Sequence, residues 1–179
     1  MGIQIVGLGG IPEVERGDDL AELIRQAAAK EKQPLDPGTI VVIAQKVVSK
    51  AEGAVVDLRT VEPSVLARDW AERWGKDARL IEVILRQSRR IVKMDRGVLI
   101  AETQHGFVTA NAGVDQSNVE GEELVTLLPR DPDASARRIR EALGCGAVII
   151  TDTFGRPWRE GLVNVAIGVA GLEALEDYR

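Results

Sequence analysis

The residues best suited to chemistry sit in Asn111-Ala-Gly-Val-Asp115-Gln-Ser-Asn118, reached by the apolar run Phe107-Val-Thr-Ala110. A short strand feeding a sharp turn would present the side-chain oxygens of Asn111, Asp115, Ser117 and Asn118, with Gly113 letting the backbone bend tightly. Oxygen ligands on a pre-bent loop suit a hard cation such as Mg²⁺ or Mn²⁺. The plainer alternative is that Asp and Asn make side-chain turns and that Ser117 or Asn118 caps the next segment of chain.

A second acidic position strengthens the metal reading. Ala147-Val-Ile-Ile-Thr-Asp152-Thr153 reads as a buried strand ending in an acid flanked by hydroxyls, a place where nucleotide enzymes hold Mg²⁺. Arg156 and Arg159, just beyond it, have the planar donors that suit phosphate or carboxylate oxygens. A third group comes after Thr39-Ile-Val-Val-Ile-Ala44, a continuous apolar run expected to form a strand covered on both faces. Gln45, Lys46 and Lys50 lie directly beyond it. Ligands bind at strand ends in open sheets, so these lysines suit an anion such as a phosphate, although such lysines are commonly solvated surface charges. No Gly-x-x-x-x-Gly-Lys-Ser/Thr occurs, and Gly7-x-Gly9-x-x-Pro12 breaks the dinucleotide fingerprint at its third glycine. Any phosphate cradle is of another kind.

The elements that must position these groups are set by periodicity. Ile3 to Val6 reads as a first strand. Asp19 with Glu22 starts a helix with Leu20, Leu23, Ile24, Ala27 and Ala28 inward. Glu62-Pro63-Ser64 introduces a helix closed by Gly75, with Leu66, Trp70, Ala71 and Trp74 on one face. Asp77 or Ala78 opens the next, with Leu80, Ile81, Ile84 and Leu85 inward. Gly97 to Glu102 and Phe107 to Ala110 read as paired strands. Leu124 to Leu128 is a short strand, and Asp131-Pro-Asp133 caps a helix running through Ile139 and Leu143. Arg86, Arg89, Arg90, Lys93 and Arg96 form a basic stretch that is either a solvated face or an attractor of polyanions.

Composition bounds the rest. With 179 residues, 45% of them hydrophobic and 28% charged, the chain suits an ordinary globular core. A net charge of −5 and only 3% aromatic residues argue against nucleic-acid binding. No apolar run approaches a membrane span, and the first residues lack the pattern of a signal peptide, so a cytoplasmic location is expected. The single cysteine, Cys145, reads as a buried filler rather than a nucleophile. His105 is the one histidine, and without a Gly-x-Ser-x-Gly elbow hydrolase chemistry is not expected.

Val47-Val-Ser-Lys-Ala-Glu-Gly53, His105 to Asn118, Ile149 to Arg159 and Val165 to Leu172 together resemble the γ-glutamyl ligase family of coenzyme F-420, over essentially the whole chain from Gly10. The resemblance implies one family domain over residues 1–179, an unusual α+β fold of mixed sheets with flanking helices, and an intertwined homodimer. It implies a ligase that uses GTP and Mg²⁺ or Mn²⁺, with K⁺ a further candidate, to join L-glutamate to the carboxylate of coenzyme F-420-0 and then extend a γ-linked tail. By position it makes Asp115, Asp152 and Thr153 metal ligands, with Asp115, Asp152 and Lys50 the catalytic group. It places Ile11, Pro12, Glu13, Val14, Gln45, Lys46, Lys50 and Asn118 around GTP. It also implies that family members continue beyond Asp177-Tyr178 into a segment that adds nucleotide contacts and a metal ligand. Two other functions share these residues. One is a metal-dependent nucleotide phosphohydrolase, the other a module that binds nucleotide or deazaflavin without turnover.

Overall fold

The computed structural model describes residues 2–116, 123–153 and 163–175. The fold is α+β, with five helices and three small sheets among the described residues. The stretch read as one family domain contains two compact units.

The first unit comprises residues 1–53, 129–152 and 166–179. Its sheet has the order β1 (Ile40–Ala44), β7 (Ala147–Thr153), β8 (Asn164–Ala170), the other strands being numbered below in chain order. β1 and β7 run parallel, with Ile40 opposite Ala147 and Ala44 opposite Thr151. Helix α1 (Leu20–Lys30) begins where expected, because the Asp19 carboxylate accepts the Glu22 N–H at 3.1 Å and satisfies one of the four orphan donors of the first turn. It packs against α5 (Pro132–Leu143), whose Asp131 cap accepts from Ala134 N–H at 2.8 Å. Gly168 of β8 permits a close approach of chain segments, since a Cβ there would fall 2.5 Å from Pro132. Cys145 is buried, as expected of a filler, and burial pushes its thiol pKa up.

The second unit comprises residues 54–128 and 153–165. Here β2 (Val55–Asp57) pairs antiparallel with β6 (Leu124–Thr126). Strands β3 (Ser88–Asp95), β4 (Val98–Thr103) and β5 (Val108–Ala110) form an antiparallel meander. Helices α3 (Val65–Trp74) and α4 (Ala78–Gln87) cover a core that includes Leu58, Trp70, Ile81, Ile84, Leu99 and Val125. Ser64 and Asp77 are the observed N-caps, and Gly75 ends α3 at φ +61°. Glu82 ties the two helices together by accepting from Ser64 N–H at 2.9 Å and from Arg86 Nε at 2.8 Å. Hydrogen bonds from Ser64, and then the Arg86 charge, hold its carboxyl down at about 2 against desolvation.

Three expectations change. Residues Ile3 to Val6 form no strand, and Ile3 and Ile5 are 94% and 92% exposed, because they have no ladder partner among the described residues. β1 is covered on one face only: Val41 and Ile43 are buried, whereas Ile40 and Val42 are 52% and 61% exposed. Leu66 lies outside the buried face of α3, which is built on Ala67, Trp70 and Ala71. The basic stretch is the solvated face expected of it, with all five side chains exposed, and four of its charges have acidic partners. It crosses from α4 into β3, where Arg89 and Arg90 pair with Glu102, while Arg86 pairs with Glu82 and Arg96 with Asp95.

Candidate active site

In the first unit the parallel register of β1 and β7 decides the geometry. Ala44 lies opposite Thr151, so the chain leaves both strands at the same sheet end. From β1 it enters α2 (Gln45–Ala51) directly, a helix not foreseen from composition. From Thr151 it passes to Asp152, which is half-buried. Gln45, Lys46 and Asp152 are thus delivered to one carboxyl edge of a parallel pair, where α/β sheets place ligands.

Helix periodicity then sets Lys50 one turn beyond Lys46, on the same face. Its side chain is only 11% exposed, and its ammonium pairs with the Glu13 carboxylate. The bland expectation of a solvated Lys50 is therefore replaced by a covered lysine held by a partner. That pair draws in the Ile11–Val14 segment, in which Val14 is buried and Ile11, Pro12 and Glu13 are exposed. The segment is fastened on either side, by Gly9 N–H donating to Glu31 Oε1 at 2.6 Å and by Gly17 N–H donating to Ala51 O at 2.8 Å. Gln45 is buried, and its Oε1 accepts from the Ser49 hydroxyl at 2.9 Å.

In the second unit β5 runs into a tight turn over Asn111–Gly113. All three residues have positive φ, at 53°, 52° and 74°, and two of them carry a Cβ. Left-handed backbone costs roughly 1–2 kcal/mol for an ordinary L-residue, and Ala112 has no side-chain hydrogen bond to offset it. Such conformations persist only where the surroundings over-determine them, and they concentrate at functional sites. The surroundings here are specific. Ala112 and Val114 are buried, Val114 N–H donates to Asn111 O at 2.9 Å, and Leu128 packs onto Gly113 so closely that a Cβ there would lie 2.8 Å from its Cγ.

Asp115 emerges from this turn onto an isolated bridge with Thr126. Its N–H donates to Thr126 O at 3.0 Å, and its carbonyl accepts from Thr126 N–H at 2.8 Å and from the Thr126 hydroxyl at 3.2 Å. The main chain under the carboxylate is therefore fixed from both sides, and the residue itself is half-buried. Thr126 and Leu128 had no signal in the sequence beyond membership of a short strand.

Thr153, at the end of β7, is exposed and donates its hydroxyl to Asn164 Oδ1 at 2.5 Å. Asn164 also escaped sequence reasoning, since an amide at the start of a strand carries no distinctive pattern. Ser117, Asn118, Arg156 and Arg159 lie outside the described residues. Among the described residues no three His, Cys, Asp or Glu side chains cluster to hold a metal ion. The expected ligand set uses two carboxylates and a hydroxyl. All are hard oxygen donors of the kind that suits Mg²⁺ or Mn²⁺, with Asp152 in the first unit and Asp115 and Thr153 in the second. No helix among the described residues is long and apolar enough to cross a membrane.

Comparison with known proteins adds to this geometry. The family model for F420-0:gamma-glutamyl ligase matches residues 9–179. A coenzyme F420:L-glutamate ligase of Methanothermobacter thermautotrophicus is 50% identical over 182 residues, covering 99% of this chain and 72% of that protein. Proteins of the same name from Methanopyrus kandleri and Methanocaldococcus jannaschii are 48% and 41% identical, covering 96% and 98% of this chain and 72% and 70% of theirs.

Proposed function

Because the chain belongs to the F420-0:gamma-glutamyl ligase family and is a ligase, we propose that it joins L-glutamate to coenzyme F-420-0 at the expense of GTP. The γ-linked tail then grows by repetition. In this reading a carboxylate oxygen of the acceptor attacks the γ-phosphorus of GTP, and the bond to the β–γ bridging oxygen breaks to release GDP. The neutral α-amine of L-glutamate then attacks the acyl phosphate. The C–O bond to phosphate breaks, phosphate leaves, and the amine loses a proton as the amide forms.

The observation that carries this reading is the common carboxyl edge of β1 and β7, which brings the Gln45–Lys50 helix and Asp152 together. Lys46 and Lys50 bind and orient the polyphosphate and offset charge gathering on the transferring group. The Glu13–Lys50 pair supports a role for Ile11 to Val14 beside the nucleotide. Asp115, Asp152 and the Thr153 hydroxyl are assigned to Mg²⁺ or Mn²⁺, with K⁺ a further candidate, and when bound the divalent ion neutralises phosphate charge and holds the chain in line. The protein is assigned as a homodimer, a reading supported by the exposed apolar face of β1 at Ile40 and Val42, and light scattering at micromolar concentration tests it.

The functional test is a thermal shift with GTP, ATP or neither, each with and without Mn²⁺. A nucleotide at about 100 times its Kd adds roughly 2.7 kcal/mol to stability. For a chain of this size that raises the midpoint by roughly 5–11 °C. The expected result is a rise specific to GTP with Mn²⁺, followed by glutamate-dependent release of GDP when F-420-0 is present. GTP turnover that needs neither glutamate nor F-420-0 would instead identify a phosphohydrolase.

A further inference from the structure

We propose that Asn164 is a positioning residue for Thr153, turning the Thr153 hydroxyl into a lone-pair donor for a divalent cation; this rests on the assignment of Thr153 as a cation ligand. A threonine hydroxyl has one hydrogen and two acceptor lone pairs, and its rotor settles wherever an acceptor takes the hydrogen. Asn164 Oδ1 takes it, at 2.5 Å. With the hydrogen committed to that amide oxygen, the remaining valences of Thr153 Oγ1 are lone pairs, which is what a cation requires. Left without an acceptor, the rotor would be free to present its hydrogen, and an O–H hydrogen repels a cation.

The pair also links the ends of two neighbouring strands, but little stability rests on it. Both residues are exposed, at the end of β7 and the start of β8. An exposed hydrogen bond of this kind exchanges with water and adds little to stability. Partners one step behind metal ligands orient them in the same manner, and their removal typically weakens metal binding about 10- to 100-fold.

The test uses the full chain and Mn²⁺, with free Mn²⁺ followed by electron paramagnetic resonance in the presence of GTP, and compares Thr153→Ala, Asn164→Ala, Asn164→Asp and the double alanine variant. The expected result is that Thr153→Ala and Asn164→Ala each weaken Mn²⁺ binding by about tenfold or more. The double variant should bind no more weakly than Thr153→Ala alone, because Asn164 acts through Thr153. Asn164→Asp, which keeps an acceptor, should retain the affinity. Thermal midpoints of all four without metal should match that of the parent. If Asn164→Ala binds Mn²⁺ like the parent while Thr153→Ala does not, the inference is overturned and the ligand assignment stands. Additive losses in the double variant, or an Asn164→Asp protein as weak as Asn164→Ala, also overturn it. Parent-like binding by Thr153→Ala removes the ligand assignment and this inference with it.

Discussion

Replacing Gly113 by alanine should be among the most damaging single-methyl additions to the second unit. Two independent costs combine there. Gly113 holds φ +74°, where an L-residue pays about 1–2 kcal/mol. The added Cβ would also stand 2.8–3.0 Å from three side-chain atoms of Leu128, a buried residue that cannot swing into solvent. Overpacking of that kind costs about 1–3 kcal/mol. The sum is roughly 2–5 kcal/mol, which for a chain of this length lowers the thermal midpoint by about 4–20 °C. Urea denaturation followed by tryptophan emission is a suitable assay, because Trp70 and Trp74 lie in α3 of the same unit. The second half of the test is Leu128→Ala. In that background the steric part disappears, so Gly113→Ala should cost only the backbone part, about 1–2 kcal/mol. A loss under about 0.5 kcal/mol in the parent, or the same loss in both backgrounds, would refute the reasoning, since surface-like behaviour of that size needs no strained turn.

Further predictions concern binding and pH. Asp115→Asn and Asp152→Asn should each weaken Mn²⁺-dependent GTP binding while leaving circular dichroism unchanged; parent-like Mn²⁺-GTP titrations for both would dismiss the metal assignment. Lys50→Met should cost GTP affinity by about 1.5–3 kcal/mol, the worth of a hydrogen bond to a charged group, or roughly tenfold or more in Kd. The fold should tolerate that change, because the Glu13 carboxylate left behind is exposed; calorimetric titration with GTP decides it. Glu82 has its pKa depressed from 4.5 to about 2, so its contribution is present above pH 4.5 and is lost as pH falls toward 2. Glu82→Gln should therefore be less stable than the parent at pH 7, with the gap in urea midpoint closing between pH 4.5 and 2; a constant gap would show that the charge is not what matters.

What the sequence made legible was local. Helix starts at Asp19 and within 62–64, 77–78 and 131–133 could be read because a capping oxygen and the apolar period beside it are short-range features, and Asp19, Ser64, Asp77 and Asp131 are the observed N-caps. The β4–β5 pairing was legible for the same reason, its turn being only Gln104–Phe107. The strand Ser88–Asp95 was not, because a solvated face of arginines and lysine gives no strand signal, and two of its charges are answered only by Glu102 on the neighbouring strand. The open face of β1 was hidden likewise. An unbroken run of β-branched residues fits a strand covered on both sides, and nothing local records which side is left bare.

The candidate site divides along the same line. Asp115 and Asp152 could be singled out because acids at the ends of apolar strands are conspicuous, whereas the residues that hold them are not. Thr126 reaches Asp115 across 11 positions of sequence, Asn164 reaches Thr153 across another 11, and Glu13 reaches Lys50 across 37. Lys50 shows why this matters for function. Read alone it is one more surface lysine. Covered on all but a small part of its surface and already paired with a carboxylate, its ammonium has lost much of its water before any ligand arrives, so a phosphate there would face a smaller desolvation cost than at a free lysine while competing with the Glu13 carboxylate. Pairing also fixes the long side chain, so part of the ordering cost of phosphate binding is met by the fold. A lysine prepared in this way, one helical turn beyond Lys46 and at the sheet edge that ends in Asp152, would suit the phosphate contact proposed for it better than its type or its sequence neighbours suggest.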